Sequence, residues 1–121
     1  MSSFLKARSR AFVAGADLSS SQYHAVKVDA TANQVVAAAA GEGFGIVQTA
    51  PISGDECEVA MVGGGALAKL GGTVAYGAEL AADANGKFVT AASTDVVLGI
   101  ALAAGVADDV IEVERVLYVK P

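Results

Sequence analysis

The sequence predicts a mainly β protein: a small barrel-like or sandwich-like domain built from two similar β units, with little helix and an extended N-terminal arm. Three observations predict this class. Apolar residues alternate with small or polar ones along several short segments, which is the periodicity of a strand. The chain also resembles itself after a shift of 54 residues. Finally, glycines and turn-forming residues interrupt every window in which a long amphipathic helix could form.

An internal repeat defines the two units. Residues 29–60 align without a gap on residues 83–114, and 11 of the 32 aligned pairs are identical. A shared Gly-Ile dipeptide, at 45–46 and 99–100, and a shared Asp-x-x-Glu-Val ending are not explained by the abundance of alanine. Such self-similarity is typical of repeated structural units. We therefore expect the two dipeptides to lie in equivalent strands.

Period-two segments predict the strands within each unit. Leu98, Ile100 and Leu102 alternate with small residues, and Phe44 and Ile46 occupy the matching places in the first unit. Between such segments stand "DANG", "ISGD" and "VADD", which are turn signals because Asn, Asp and Gly tolerate positive φ. The units are therefore predicted to consist of short strands joined by tight turns.

Composition and charge restrict the possible functions. The 121 residues suffice for one domain or two very small ones. The chain is 54% hydrophobic, but much of this is alanine and few residues are aromatic, so we expect a thin core and stability shared with other subunits. A net charge of −5 argues against general affinity for nucleic acid. No secretory signal and no membrane-spanning run is expected.

The first 22 residues are predicted to form an arm, followed by a β-rich domain at 23–121. The start of the arm is basic, with three cations in the first ten residues, whereas beyond Arg10 five basic residues accompany thirteen acidic ones. Two alternatives stay open for it: a disordered terminus, or a segment that orders on an acidic partner surface. The candidate partner-binding residues are Phe4, Leu5, Lys6, Arg8, Arg10 and Phe12.

A glycine-rich stretch after the first unit raises the question of a nucleotide site. Gly63, Gly65 and Ala68 fit the G-x-G-x-x-G/A pattern that holds a pyrophosphate at the start of a helix. Gly71 and Gly72 follow within a few residues and precede the β-favouring "TVAY", so the required helix has no room. We interpret the glycines as a flexible junction between the units and predict no cofactor.

Candidate catalytic and metal-ligating residues are few. Cys57 lies on the apolar side of its predicted strand, opposite Ile111 in the repeat, so we expect a buried, inert thiol. His24 is expected at the surface or at a strand edge. A Cys-His nucleophile or a zinc site would need further partners that no spacing supplies. The acidic groups at 55–58 and 108–114 are interpreted as solvated strand faces rather than a calcium site.

Two longer stretches resemble a known protein family. "VKVDATANQVVAAA" with "GFGIVQTA", and "YGAELAADANGKFVTAASTDVVLGIALAAGVADDVIEVE", are similar to the small capsid decoration (cement) proteins of tailed bacteriophages. The resemblance covers residues 23–114, and its most specific part is "DANGKFVTA…VLGIALAA…DDVIEV". The basic arm and the final "RVLYVKP" lie outside it.

The resemblance implies a β-rich structural protein of the virion, made in the host cytoplasm, without catalytic or cofactor residues. It implies binding to the outer face of the mature head, where such proteins bridge neighbouring major capsid subunits, often as trimers, and reinforce the shell. Two alternatives remain from the residues alone. One is a non-enzymatic module that binds peptide or sugar, and the other is an enzyme built on Cys57, His24 and an acid.

Overall fold

The computed structural model describes residues 8–121, which contain ten strands and no helix. This confirms the mainly β class. The strands are β1 (Ser9–Ala14), β2 (Ala25–Val28), β3 (Gln34–Ala37), β4 (Gly45–Val47), β5 (Glu56–Ala60), β6 (Gly65–Lys69), β7 (Glu79–Ala82), β8 (Phe88–Thr90), β9 (Val96–Ala101) and β10 (Val110–Val119).

The first unit, β1–β5, is a closed barrel with the strand order β1-β3-β2-β4-β5. β1 closes it, because this strand pairs in parallel with β3 and antiparallel with β5. Closure leaves few strand edges open to other chains. The buried interior residues are Ala14, Leu18, Val26, Val35, Val47, Cys57 and Val59.

The second unit, β6–β10, is a five-stranded sheet with the order β6-β10-β9-β7-β8. One parallel bridge, between Leu70 and Phe88, joins its two outer strands. The equivalent strands of the first unit, β1 and β3, form a two-residue ladder. The second unit is thus a nearly closed version of the first. Its apolar inner face must be buried by residues outside the unit.

The two units share their pairing register. Residue 25 pairs with 46 in the first unit and 79 pairs with 100 in the second, both displaced by the 54 residues of the repeat. Backbone conformations recur as well. Gly54 and Asp108 both have positive φ, at 89° and 72°. The structure therefore contains two similar β units, as the sequence predicts, with Gly45 and Gly99 in equivalent strands β4 and β9.

The predicted arm is wrong from residue 9 onwards. β1 lies within the range assigned to the arm and forms a five-residue ladder with β5, from Ser9–Ala60 to Val13–Glu56. The physical reason is burial: Ala14 is fully enclosed and Phe12 packs against the barrel interior. A half-buried strand with charges on its outer side has the same composition as a basic arm with apolar anchors, so composition alone supports both interpretations of this segment.

A shared core joins the units. Ala25, Ile46 and Ala60 on the outer face of the barrel belong to the same buried cluster as Leu98 and Phe88 of the second unit. Small side chains allow the close approach that this packing needs. The outer face of the first unit thereby covers the inner face of the second.

Arg115 of β10 crosses this contact. Its Nε donates to the carbonyl of Ala60 at 3.1 Å and its Nη2 to that of Phe44 at 2.6 Å, both in the first unit. Its Nη1 donates to the carbonyls of Leu98 and Val116. The guanidinium therefore links the backbones of the two units with its fixed fork of donors.

Candidate functional site

The predicted partner-binding residues fall into two groups. Three of them lie outside the described residues: Phe4, Leu5 and Lys6. Arg8 lies just before β1, where its carbonyl accepts a hydrogen bond from the N–H of Met61 at 2.6 Å. Its side chain runs over Gly63, since a Cβ there would come within 3.0 Å of the Arg8 Cδ. The chain thus enters the barrel beside the junction between the units.

Phe12 belongs to the barrel rather than to a free arm. Its half-buried ring meets that of Phe44 edge to face, with the ring centroids 5.6 Å apart. The exposed Arg10 guanidinium carbon lies 5.7 Å from the centroid of the Phe12 ring, within cation–π range. Phe12 is therefore committed to the core, while Arg8 and Arg10 keep their charges at the surface.

Cys57 lies buried on β5, as predicted. Burial raises the pKa of its thiol, so the reactive thiolate is disfavoured. On the same strand Glu56 and Glu58 are exposed, and Glu112 and Glu114 are exposed on β10. Within residues 8–121, no group of three or more His, Cys, Asp or Glu side chains is placed to hold a metal ion.

His24 is not at the surface, contrary to the prediction. It is 6% exposed, because β2 begins next to it and packs against the second unit. Its Nδ1 lies 3.1 Å from the carbonyl of Asn85, whereas its Nε2 has no hydrogen-bond partner among the described residues. Burial chiefly lowers the pKa of His24, with a further lowering from Lys69 and Lys87. His24 is therefore a neutral imidazole that is buried between the two units.

The glycine-rich stretch is a junction followed directly by a strand. Gly63 has a φ of 103°, and Gly65 starts β6. No helix begins there, so these residues do not form the helix N-terminus that the G-x-G-x-x-G/A pattern requires. The predicted flexible junction is thus short, and the following residues pair with β10.

The hairpin between β4 and β5 ends in an apolar tip, the Ile52 tip (residues 51–54). Ile52 is 56% exposed. Two backbone hydrogen bonds fix this tip: the Leu18 N–H donates to the Pro51 carbonyl at 2.9 Å, and the Gly54 N–H donates to the Ala14 carbonyl at 2.8 Å. The exposed side chain is therefore presented by an anchored backbone.

The hairpin between β9 and β10 ends in an equivalent tip, the Val106 tip (residues 105–108). Val106 is 54% exposed. The Val74 N–H donates to the Gly105 carbonyl at 2.9 Å, and the Asp108 N–H donates to the Leu70 carbonyl at 2.7 Å. The tip residues in these bonds, 105 and 108, are the equivalents of 51 and 54 in the repeat, whereas their partners are displaced by 56 residues instead of 54. The sequence predicts turns at "ISGD" and "VADD", which begin with Ile52 and Val106, but turn signals do not identify these two side chains as an exposed pair.

An open cleft of about 440 Å³ is lined by residues of the loop before β2 and by residues of β6 and β10. None of the described residues that line the cleft belongs to either tip. Among the described residues, Tyr23 is the only aromatic side chain lining it, which does not favour the sugar-binding alternative. The lining residues are Ser19, Ser20, Gln22, Tyr23, Lys69 and Val110.

Lys69 is the charged residue that lines the cleft. Three other lysines of the described chain are paired: Lys87 with Asp108 at 2.7 Å, Lys27 with Glu42 at 3.5 Å, and Lys120 with Glu79. Within residues 8–121, Lys69 has no carboxylate at ion-pair distance.

Among the residues that the structure describes, no helix is long and apolar enough to cross a membrane.

Comparison with known proteins places this fold. The structure is similar to the crystal structure of the head fiber gp8.5 N base in bacteriophage phi29, with a TM-score of 0.72 and 15% sequence identity. The likeness covers 90% of this chain and 93% of that chain. At this identity it shows a common fold. No curated protein matches the chain.

The family match comes from the sequence itself. Residues 7–117 match the phage cement protein family. The matched range contains all of both units except the last residues of β10, and it agrees with the resemblance carried by the repeat. The chain therefore belongs to the phage cement protein family, whose members are structural proteins associated with the phage capsid.

Proposed function

We propose that this protein binds the outer surface of the mature phage capsid and bridges neighbouring major capsid subunits, which stabilises the shell. The family match over residues 7–117 carries the proposal. The similarity to a phage head fiber base supports it, because that protein has the same fold. On the capsid we propose a homotrimer, in which copies share contacts that a thin, alanine-rich core cannot supply alone.

Binding to heads tests this function directly. Heads assembled without the protein are mixed with purified protein, sedimented, and then heated in the presence of a dye that reports released DNA. Decorated heads are expected to release DNA at a higher temperature than bare ones. Absence of the protein from the sedimented heads would contradict the proposal, and a cryo-EM map of decorated heads would give the symmetry and the subunits contacted.

The basic segment before β1 is proposed to assist this binding. Arg8 and Arg10 are exposed and directly follow or lie close behind residues 1–7 in the sequence. Exposed ion pairs contribute only about 0–1 kcal/mol each, so Phe4 and Leu5 would supply most of the contact, at roughly 1.5–3 kcal/mol per buried side chain. Phe12 stays in the barrel and is no longer part of the proposed contact.

Two truncations distinguish a loss of binding to the head from a loss of folding. Deleting residues 2–7 is expected to leave the melting temperature unchanged and to lower head occupancy at limiting protein concentration. Deleting residues 2–12 removes most of β1 and with it the closure of the barrel, so this variant is expected to lose its cooperative transition. Full occupancy by the 2–7 deletion would show that the β units alone bind the head.

A further inference from the structure

The duplicated tips are surface features that the fold itself does not require. A repeat preserves interior residues because both units must pack a core, but tight turns at a surface ordinarily carry polar residues. Here both units place a β-branched apolar residue at the same exposed turn, Ile52 at 56% and Val106 at 54% exposure. Singly exposed apolar residues are common on protein surfaces, so it is the repetition at equivalent turns, and not the exposure by itself, that points to a contact surface.

The two tips lie at one end of the molecule. Leu18, which anchors the Ile52 tip, is followed directly by Ser19 and Ser20 on one wall of the cleft. Val110, which closely follows the Val106 tip, lines the same cleft. Tyr23 links the bases of the two hairpins, because its N–H donates to the Val47 carbonyl at 2.7 Å and its carbonyl accepts from the N–H of Lys69 at 3.0 Å. Lys69 in turn pairs with Val110, so one partner surface could meet both tips.

Both tips are rigid enough to act as preformed contacts. In each tip, both ends of the turn form backbone hydrogen bonds with the segment at the end of the first strand of that unit. This segment is residues 14–18 for the Ile52 tip and residues 70–74 for the Val106 tip. Asp55 and Asp109 add the same bond within the turn, to the carbonyls of Ile52 and Val106, at 3.1 Å in both units. Preformed contacts bind without a large ordering cost.

From this geometry we infer that one chain is bivalent: the Ile52 tip and the Val106 tip dock on equivalent apolar recesses of two adjacent copies of one shell subunit. The kind of partner follows from the duplication. Two similar contacts at one end of a chain are suited to a partner surface on which the same site occurs repeatedly. A shell of identical subunits is such a surface. This inference rests on the proposed function and specifies the residues that make the bridge.

Linked contacts of this kind give avidity. Once one tip is seated, the second meets its recess at the effective concentration set by a rigid connection through the shared core. Loss of either tip therefore removes the avidity, and loss of both removes the contact. The two tips are expected to contribute similarly, since their exposure and anchoring are alike.

Three matched substitutions test the assignment on heads that lack the protein. Ile52→Asp and Val106→Asp are each expected to weaken binding to heads by about tenfold or more, and the double variant is expected to bind more weakly than either, keeping at most the contact of the segment before β1. Val28→Asp is the control, because Val28 is 61% exposed at the end of β2 remote from the tips. Circular dichroism melts verify that all variants fold.

Binding to unassembled capsid subunits distinguishes two models. In one, the two tips contact two different subunits; in the other, both tips contact a single subunit. Single tip variants are expected to bind an isolated subunit within about twofold of the unmodified protein, since one intact tip suffices there. An equal loss on isolated subunits and on heads would overturn bivalency, as would full head occupancy by both single variants. If the unmodified protein itself fails to bind heads, the proposed function is refuted instead.

Discussion

Arg115 holds a charge inside a core that is made mainly of apolar side chains. It is 1% exposed, and its guanidinium donates only to backbone carbonyls of both units. Burial lowers the pKa of Arg115 to about 10, so the side chain is still charged at neutral pH. A buried donor group of this kind is stabilising only while its acceptors stay in place, so the contribution of Arg115 depends on correct docking between the units.

Replacing Arg115 by Met is therefore expected to destabilise the protein strongly. The carbonyls of Ala60 and Phe44 would lose their donors while remaining buried, and each such loss costs about 1–3 kcal/mol. We expect the free energy of unfolding in urea to fall by at least about 2 kcal/mol. Lys27→Met, which removes an exposed cation, is the control and is expected to change it by less than about 1 kcal/mol. Equal effects would contradict the linking role.

His24 makes stability depend on pH. Its pKa is lowered in the folded state, mainly by burial, so the unfolded chain binds a proton more readily. The contribution that neutral His24 makes to the stability is therefore fully present above the unfolded pKa of about 6.5, and it is lost as the pH falls through the lowered pKa of the folded state. The hydrogen bond to the Asn85 backbone opposes this lowering of the pKa, as does Asp83 to a smaller extent, while Lys69 and Lys87 reinforce it.

The expected measurement is a fall in the melting temperature between pH 7 and pH 5. His24→Gln removes the titrating ring, so this variant is expected to melt at nearly the same temperature at both pH values. An undiminished fall in the variant would assign the effect to the carboxylates instead.

At the scale of the strands, the repeated Gly-Ile dipeptide has a packing cause. A Cβ on Gly45 would overlap the Val59 side chain of β5, and a Cβ on Gly99 would come within 3.1 Å of Val113 on β10. Val59 and Val113 are themselves equivalent in the repeat. The glycine of β4 or β9 thus makes room for a valine of the neighbouring strand in each unit, so the pair persists in both copies.

Alanine at these glycines is expected to overpack the strands. Gly45→Ala should destabilise by about 1–3 kcal/mol, and Gly99→Ala by less, because the added Cβ would lie farther from its valine neighbour. Gly72→Ala is the matched control, since its nearest neighbour, Val89, would be at an ordinary 3.7 Å. Urea unfolding followed by circular dichroism measures all three. A destabilisation by Gly72→Ala equal to that by Gly45→Ala would rule out the packing cause.

At the scale of the whole molecule, the second unit depends on the first. Its inner face is covered by Ala25, Ile46 and Ala60 of the barrel. The free edge of β6 is covered as well, because the Gln48 side chain accepts from the Leu67 N–H at 3.2 Å and donates to the Leu67 carbonyl at 3.0 Å. The units therefore form one cooperative structure despite their separate sheets.

A single unfolding transition is expected from this coupling. Tyr23 reports on the first unit, and Tyr76 and Tyr118 report on the second. In Tyr23→Phe, tyrosine fluorescence follows only the second unit, and its midpoint in urea is expected to coincide with that of circular dichroism. A second-unit transition at lower urea concentration, separated from that of the whole protein, would show that the units unfold independently.

Local periodicity and repetition encode much of this fold in the sequence. Alternation of large and small residues predicts strands such as β9, and turn residues predict the hairpins between them. The repeat predicts two similar units, because both copies must solve the same packing problem, as Gly45 and Gly99 show. The buried state of Cys57 follows from its place on the apolar side of β5.

Features that depend on contacts between distant residues became visible in the tertiary structure alone. β1 has a partner 49 residues along the chain, since Ser9 bonds to Glu58, so its basic, mixed composition does not distinguish a strand from an arm. His24 and Arg115 are polar residues whose burial arises from docking of the two units, where backbone carbonyls accept their hydrogen bonds. The pairing of the Ile52 and Val106 tips at one end likewise follows from that docking, because periodicity carries no information on how two sheets are placed.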